Sequence, residues 1–204
     1  MAKINDLNQA MQKFQAGANG TKTEFFALEN DKDSAIVRFI HGAELAPEHD
    51  WMIVHQVELN GKKRWIECSQ ENDCPLCLSG NKPQLRLFLQ VFDTRDGKLK
   101  IWERGQTFVP KILGLMNKYG SLIERPFEIQ RFGKKGDTKT TYEIYPLDKD
   151  GKSSVDFPPP TQLLGGFVLK KSHDEMRAIL AGDYDASAPT IQPRGTVNKG
   201  TDTF

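Results

Sequence analysis

Residues 55 to 77, HQVELNGKKRWIECSQENDCPLC, hold all three cysteines of the chain and one of its four histidines, in the pattern H-x12-C-x5-C-x2-C. Thiolate and imidazole are ligands that zinc prefers, and four of them complete its tetrahedron. Three readings compete: a zinc site, a redox pair of the C-x2-C type, and plain buried thiols. The redox reading wants its cysteines at a helix start inside a strand-helix-strand unit, and no such pattern surrounds CPLC. Three thiolates and an imidazole leave no open position for water or substrate. The reading favoured is therefore one structural Zn2+ held by His55, Cys68, Cys74 and Cys77. His41, His49 and His173 lack cysteine neighbours in sequence and read as ordinary histidines.

The elements that must position these ligands can be read around Asn60-Gly61. This dipeptide is a strong two-residue hairpin signal because both turn positions need positive φ, and DWMIVHQVEL and KKRWIEC flank it as strands. Opposite residues then have numbers summing to 121, which pairs His55 with Ile66 and Ile53 with Cys68. His55 and Cys68 become diagonal neighbours on one face, with Cβ atoms roughly 7 Å apart or less, close enough to share one ion. Cys74-Pro75-Leu76-Cys77 supplies the other two ligands from a tight knuckle whose turn Pro75 pre-sets. Trp51, Ile53, Val57 and Ile66 share the ligand face, so the site should sit beside apolar side chains.

A second constellation follows. In LRLFLQVF (85 to 92) the odd positions are aliphatic, and the even positions are Arg86, Phe88, Gln90 and Phe92. In KLKIWERG (98 to 105) Lys98, Lys100, Trp102 and Arg104 alternate with Leu99 and Ile101. The alternation predicts an aliphatic core face and an open face that interleaves cations with aromatics. Such a face suits single-stranded nucleic acid, since phosphates need Lys and Arg and unpaired bases stack on rings. Lys62, Lys63 and Arg64 at the first hairpin, and Lys134 and Lys135 in the loop GKKGDTK, extend this basic surface. Charge is distributed to match: residues 22 to 81 carry 6 basic and 11 acidic side chains, residues 82 to 145 carry 13 and 7.

The wider frame is that of a soluble chain of 204 residues, 38% hydrophobic and 27% charged, with net charge +1. No apolar run approaches the roughly 18 residues that span a bilayer, and MAKINDLNQAMQKF has no signal core, so a cytoplasmic protein without membrane association is expected. Ile4, Leu7, Met11 and Phe14 lie at helical spacing in an amphipathic arm over residues 1 to 21. A core over residues 22 to 170 follows, with the zinc subdomain at about 51 to 80. TFVPKILGLMNKYG (107 to 120) predicts its central helix, and RPFEIQRF with TTYEIYPL a third strand pair. Ser172 with Glu175 forms a capping box for a short helix over 171 to 181, and residues 182 to 204 read as a flexible polar tail. The fold class expected is mainly β with minor α, a small antiparallel barrel or sandwich.

SAIVRFI, a histidine, NGKKRWIEC and then CPLC together resemble the core of the zinc-containing, single-stranded DNA-binding (helix-destabilising) proteins of T-even-type bacteriophages. The specific likeness covers residues 34 to 78, with a looser one to about 147. The resemblance implies an OB-fold with an inserted zinc subdomain and His55, Cys68, Cys74 and Cys77 as ligands. It also implies DNA in a basic, aromatic-lined cleft. The arm has only Lys3 and Lys13 where that family has a basic run, and residues 172 to 204 carry 5 acidic and 3 basic side chains where it has a strongly acidic tail. The function expected is sequence-independent coating of single-stranded DNA in replication, recombination or repair, without catalysis. Replication or recombination proteins and further copies of the chain are its expected partners. The alternatives are a zinc-containing RNA-binding or transcription-regulatory module, and a zinc-stabilised protein-interaction adaptor.

Overall fold

A computed structural model describes residues 24–137 and 139–184. The N-terminal arm and all but the first three residues of the tail lie outside the described residues. The fold is mainly β. Its strands are β1 (Glu24–Phe25), β2 (Ser34–Phe39), β3 (Trp51–Leu59), β4 (Lys62–Glu67), β5 (Gln84–Asp93), β6 (Lys98–Gly105), β7 (Phe127–Phe132), β8 (Thr141–Pro146) and β9 (Val168–Leu169). The α-helices are α1 (Pro75–Leu78), α2 (Val109–Tyr119) and α3 (His173–Ala181).

The strands form one sheet in the order β8-β7-β2-β5-β3-β4-β9, with β6 on the remaining edge of β5 and β1 beyond β6. The long strand β5 organises it. Its first half pairs with β3 and its second half with β2, while β6 runs antiparallel along its other edge. The antiparallel barrel or sandwich expected from the run of short strands is corrected on two points. Two-residue strands β1 and β9 add in parallel to β6 and β4, and the described ladders end at open edges. Segments that short carry no alternation that a sequence could display.

Turn chemistry sets the hairpins. Asn60 and Gly61 take φ 52° and 70°, and the β3–β4 pairs run from Leu59 with Lys62 to Val54 with Glu67, the register expected. Helix α2 ends at Gly120 with φ 72°, and α3 opens on the reciprocal Ser172 and Glu175 capping box and closes at Gly182 with φ 81°.

Two apolar layers sandwich β5. One contains Val37, Phe39, Leu87, Leu89, Val91, Trp102, Ile112, Phe127 and Ile129 under α2. The other contains Met52, Val54, Trp65, Phe88, Ile101, Leu163 and Val168. This second layer overturns the open cation-aromatic face. The segment around residues 157 to 168 crosses it: Phe157 stacks edge-on against Phe92, Phe167 against Phe88, and Gln90 and Thr161 exchange side-chain-to-backbone hydrogen bonds of 3.0 and 2.5 Å. Phe88 and Trp102 are therefore core residues. Trp102 keeps the alternation, but the β5–β6 register sets it opposite Leu89 and Ile101 opposite Gln90, so it belongs to the first layer, wedged among Phe26, Phe108 and Tyr142.

At the β5–β6 turn the carboxylate of Asp93 is fully buried and accepts from Arg95 at 2.7 Å and Lys100 at 2.8 Å. Lys100 also meets Asp96 at 2.7 Å. Burial alone would raise the Asp93 pKa, but hydrogen bonds from Arg95 and Lys100 outweigh it and bring the group down to about 2. A folded value below the unfolded value of about 4 contributes stability that is present above pH 4 and lost as pH falls toward 2. Urea denaturation across that window should show Asp93→Asn less stable at pH 7 and with a flatter acid limb. Phe88→Ala and Trp102→Ala should each cost about 3–5 kcal/mol in the same assay, behaving as core truncations.

Candidate metal centre

The register of the β3–β4 hairpin places the His55 imidazole and Cys68 together, and Cys68 N–H donates to the Ile53 carbonyl at 2.9 Å, extending the ladder by one bond. The loop of residues 69 to 73 then returns the chain to Cys74, where α1 begins with Pro75 at its first position. Cys74, Cys77 and the ligands of the hairpin converge with ligand atoms all within 4.8 Å of one another. The Cys68 sulphur lies 4.0 Å from that of Cys74 and 3.7 Å from that of Cys77. His55 Nε2 lies 3.6 Å from Cys74 Sγ and 3.5 Å from Cys77 Sγ.

Those edges test the donor set against zinc. Zinc bonds of about 2.3 Å to sulphur and 2.0–2.1 Å to nitrogen give a tetrahedron with edges of about 3.8 Å between sulphurs and about 3.5 Å between sulphur and nitrogen. The four separations fall close to these values, whereas a disulfide needs about 2.05 Å between sulphurs. Buried His55 with Cys68, Cys74 and Cys77 is thus compatible with a single structural zinc site. Bound there, zinc would cross-link the hairpin to α1.

Electrostatics within the cluster favour a cation. Burial pushes the Cys68 thiol up, and burial together with the two neighbouring sulphurs pushes Cys77 up to about 12. Burial opposes ionisation of Cys74 too, but the Cys77 amide and the Ser69, Cys77 and His55 side chains bring it down to about 6. The cluster holds one thiolate readily and resists the others; a divalent cation removes that repulsion.

Two parts of the site escaped sequence reasoning. Asn81 Oδ1 lies 3.3 Å from His55 Nδ1, and Asn81 Nδ2 donates to the Gln56 carbonyl at 2.9 Å. The amide orientation fixed by Gln56 makes Oδ1 the acceptor, so the imidazole proton sits on Nδ1 and Nε2 faces the sulphurs. Helix α3 also belongs here: Met176 and Ile179 pack with Ile66, Cys68, Cys74 and Leu76 in one apolar cluster. The capping box announced the helix; nothing in its sequence announced its dock.

The basic residues divide into three groups. Lys62, Lys63, Arg64 and Lys134 are exposed and form no ion pair among the described residues. Lys98 and Lys135 are exposed but paired, with Glu24 at 2.7 Å and Glu29 at 3.0 Å. Arg86 lies over the Trp65 ring at 4.7 Å with Glu103 at 3.7 Å, and Arg104 lies over Tyr142 at 4.0 Å, both half-buried. Lys100 is bound to its aspartates, Phe92 is half-buried, and Phe88 and Trp102 have no surface to offer. No helix among the described residues is long and apolar enough to cross a membrane.

No family model, curated protein or solved structure matches the chain.

Of the other histidines, His41 is buried, accepting the Gln90 amide at Nε2 (2.9 Å) with Nδ1 3.0 Å from Asp50, a structural role that its sequence context did not signal.

Metal analysis of the purified protein should find about one zinc per chain. Asn81→Ala should weaken zinc about 10- to 100-fold in chelator competition while leaving the ligand set intact. Chelation of the parent protein should abolish amide-exchange protection in α3 before that of β5, because the helix rests on the ligand cluster.

Proposed function

We propose that the protein binds single-stranded DNA without sequence preference, in the cytoplasm of a bacterial host, and acts by binding and not by catalysis. The observation that carries this reading is the exposed run Lys62-Lys63-Arg64, without an ion pair among the described residues, on the hairpin that carries the His and Cys cluster, next to Trp65 with Arg86 stacked on its ring. Cations that no carboxylate neutralises are what a phosphate backbone requires.

The connectivity supports an OB-type core. Taking β2, β5, β6, β7 and β8 in order, the first strand pairs with the second and fourth, the second with the third, and the fourth with the fifth. Helix α2 lies between the third and fourth. In place of a hydrogen-bonded closure between β6 and β8, Trp102 and Arg104 of β6 pack on Tyr142 of β8. Such cores bind oligonucleotides at the face of their second and third strands and with the loops joining strands one to two and four to five. The first of those loops is the whole segment that carries the metal hairpin and Lys62 to Arg64; the second carries Lys134 and Lys135. Since the chain itself covers much of the β5 and β6 face, the loops are the contact surface that this reading leaves.

The mechanism is mass action: preferential binding to the open strand shifts local melting toward it. Replication, recombination or repair would supply such strands, and partners in those processes belong to the same proposal. A protein-interaction adaptor is the second reading, favoured by the apolar groove of Leu45, Trp51, Leu85, Val109, Leu113 and Met116 beside α2.

Tryptophan fluorescence titrated with oligo-dT, oligo-U and duplex DNA at two salt concentrations separates the readings. The single-strand reading expects tight, salt-sensitive oligo-dT binding and weak duplex binding, with Trp65 and Trp51 as reporters. Replacing Lys62, Lys63 and Arg64 together by alanine should lower the salt slope by about 2. Preference for oligo-U would favour an RNA-binding module, and silence toward all three nucleic acids the adaptor.

A further inference from the structure

A cleft of about 460 Å3 opens beside the tip of the metal hairpin. One wall is the hairpin itself, with Asn60, Lys62 and Arg64; the other is the C-terminal segment, with Leu169, Lys171 and Tyr184, and Leu59 adds to its apolar lining. Lys62 and Arg64 alternate with Ile66, so they continue the face on which the ligand cluster and α3 lie. Leu169 pairs with Ile66 across the parallel β4–β9 bridge, which brings the second wall alongside the first.

The charges on the two walls differ in kind. The Lys171 ammonium is matched by Glu175 at 2.8 Å and sits 4.7 Å from the centre of the Tyr184 ring, holding the ring against its side. Lys62 and Arg64 are exposed and have no carboxylate partner among the described residues. The cleft thus combines two uncompensated cations, an aromatic ring steadied by a third, and an apolar lining. Its volume lies in the lower part of the roughly 300–1,000 Å3 range of small-molecule sites, room for one flat heterocycle with its sugar phosphate and not for several.

We propose that this cleft binds one nucleoside phosphate unit, with the phosphate on Lys62 and Arg64 and the base against Tyr184. The unit comes either from a bound single strand, in which case the proposal rests on the single-strand reading and locates one of its contacts, or from a free nucleotide. Because α3 packs on the Cys and His cluster and carries the chain on to Tyr184, the metal centre sets the spacing of the two walls.

The zinc-loaded full chain is titrated with labelled oligo-dT, with thymidine 5′-monophosphate and with inorganic phosphate, beside Lys62→Ala/Arg64→Ala and Tyr184→Leu. Circular dichroism and zinc content confirm that each variant is folded; the two cations are exposed, so their loss leaves the core alone. For a strand-derived unit, the double variant should weaken oligo-dT binding at least ten-fold and Tyr184→Leu about five- to hundred-fold, the usual range for one stacked base. For a free nucleotide, the monophosphate binds once per chain, oligo-dT does not bind, and both variants lose the monophosphate; that outcome upholds the cleft and overturns strand coating. Parent-like binding of oligo-dT and monophosphate by both variants overturns the cleft and leaves strand binding standing. Loss of both ligands in the double variant with none in Tyr184→Leu, or inorganic phosphate competing as well as the nucleotide, reduces the site to an anion patch and overturns the proposal. A parent protein that binds none of the probes overturns both readings.

Discussion

The register of one hairpin governs this structure. Side chains alternate across a strand, so a slip of a single residue at Asn60-Gly61 would carry His55 and Cys68 to opposite faces. The positive φ values at both turn positions prevent that slip at little cost, since asparagine and glycine tolerate the left-handed region. Held in register, His55 and Cys68 meet the α1 knuckle, and the same face receives α3. The ligand cluster, the dock for the C-terminal helix and the cleft beside the hairpin tip all depend on that turn.

A second constraint is topological. From Leu87 to Val91, β5 is hydrogen-bonded along both edges and buried on both faces, so its centre has no surface on which alternation could be expressed. Its even-numbered residues met a layer built from residue 157 onward, far along the chain. Phe88 and Phe92 became packing partners of Phe167 and Phe157, and the neighbouring cation Lys100 was absorbed into an internal ion-pair cluster with Asp93 and Asp96. Interleaved cations and aromatics are one pattern with two outcomes: stacking against a ligand, or stacking against the chain. Arg86 on Trp65 and Arg104 on Tyr142 follow the second.

The distribution of free charge follows from the same packing. Cations at strand centres found carboxylates or rings because neighbouring strands lie close. Those in the hairpin, at Lys62, Lys63 and Arg64, form no ion pair among the described residues: they stand exposed on the part of β4 that β9 does not reach, with Lys63 opposite Glu58 on β3 but not bonded to it. Among the predicted contact residues, free positive charge accordingly lies beside the His and Cys cluster and at Lys134 in the β7–β8 loop, not over the middle of the sheet.

Sequence alone determined the features that arise within a few residues: the four members of the His and Cys cluster, the hairpin register, three strand pairs, the central helix with its Gly120 stop and the capping box at Ser172. Each is set by local geometry, such as the fixed offset across a two-residue turn or the reach of a capping side chain. Tertiary structure decided what met what: the covering of the β5 and β6 face by residues 157 to 168, the parallel two-residue strands at the sheet edges, Asn81 behind His55, and Met176 against the cysteines. These contacts join residues tens of positions apart through shape and burial. No alternation or spacing in the separate segments encodes them, because a strand presents the same pattern whether water or a distant segment covers its face.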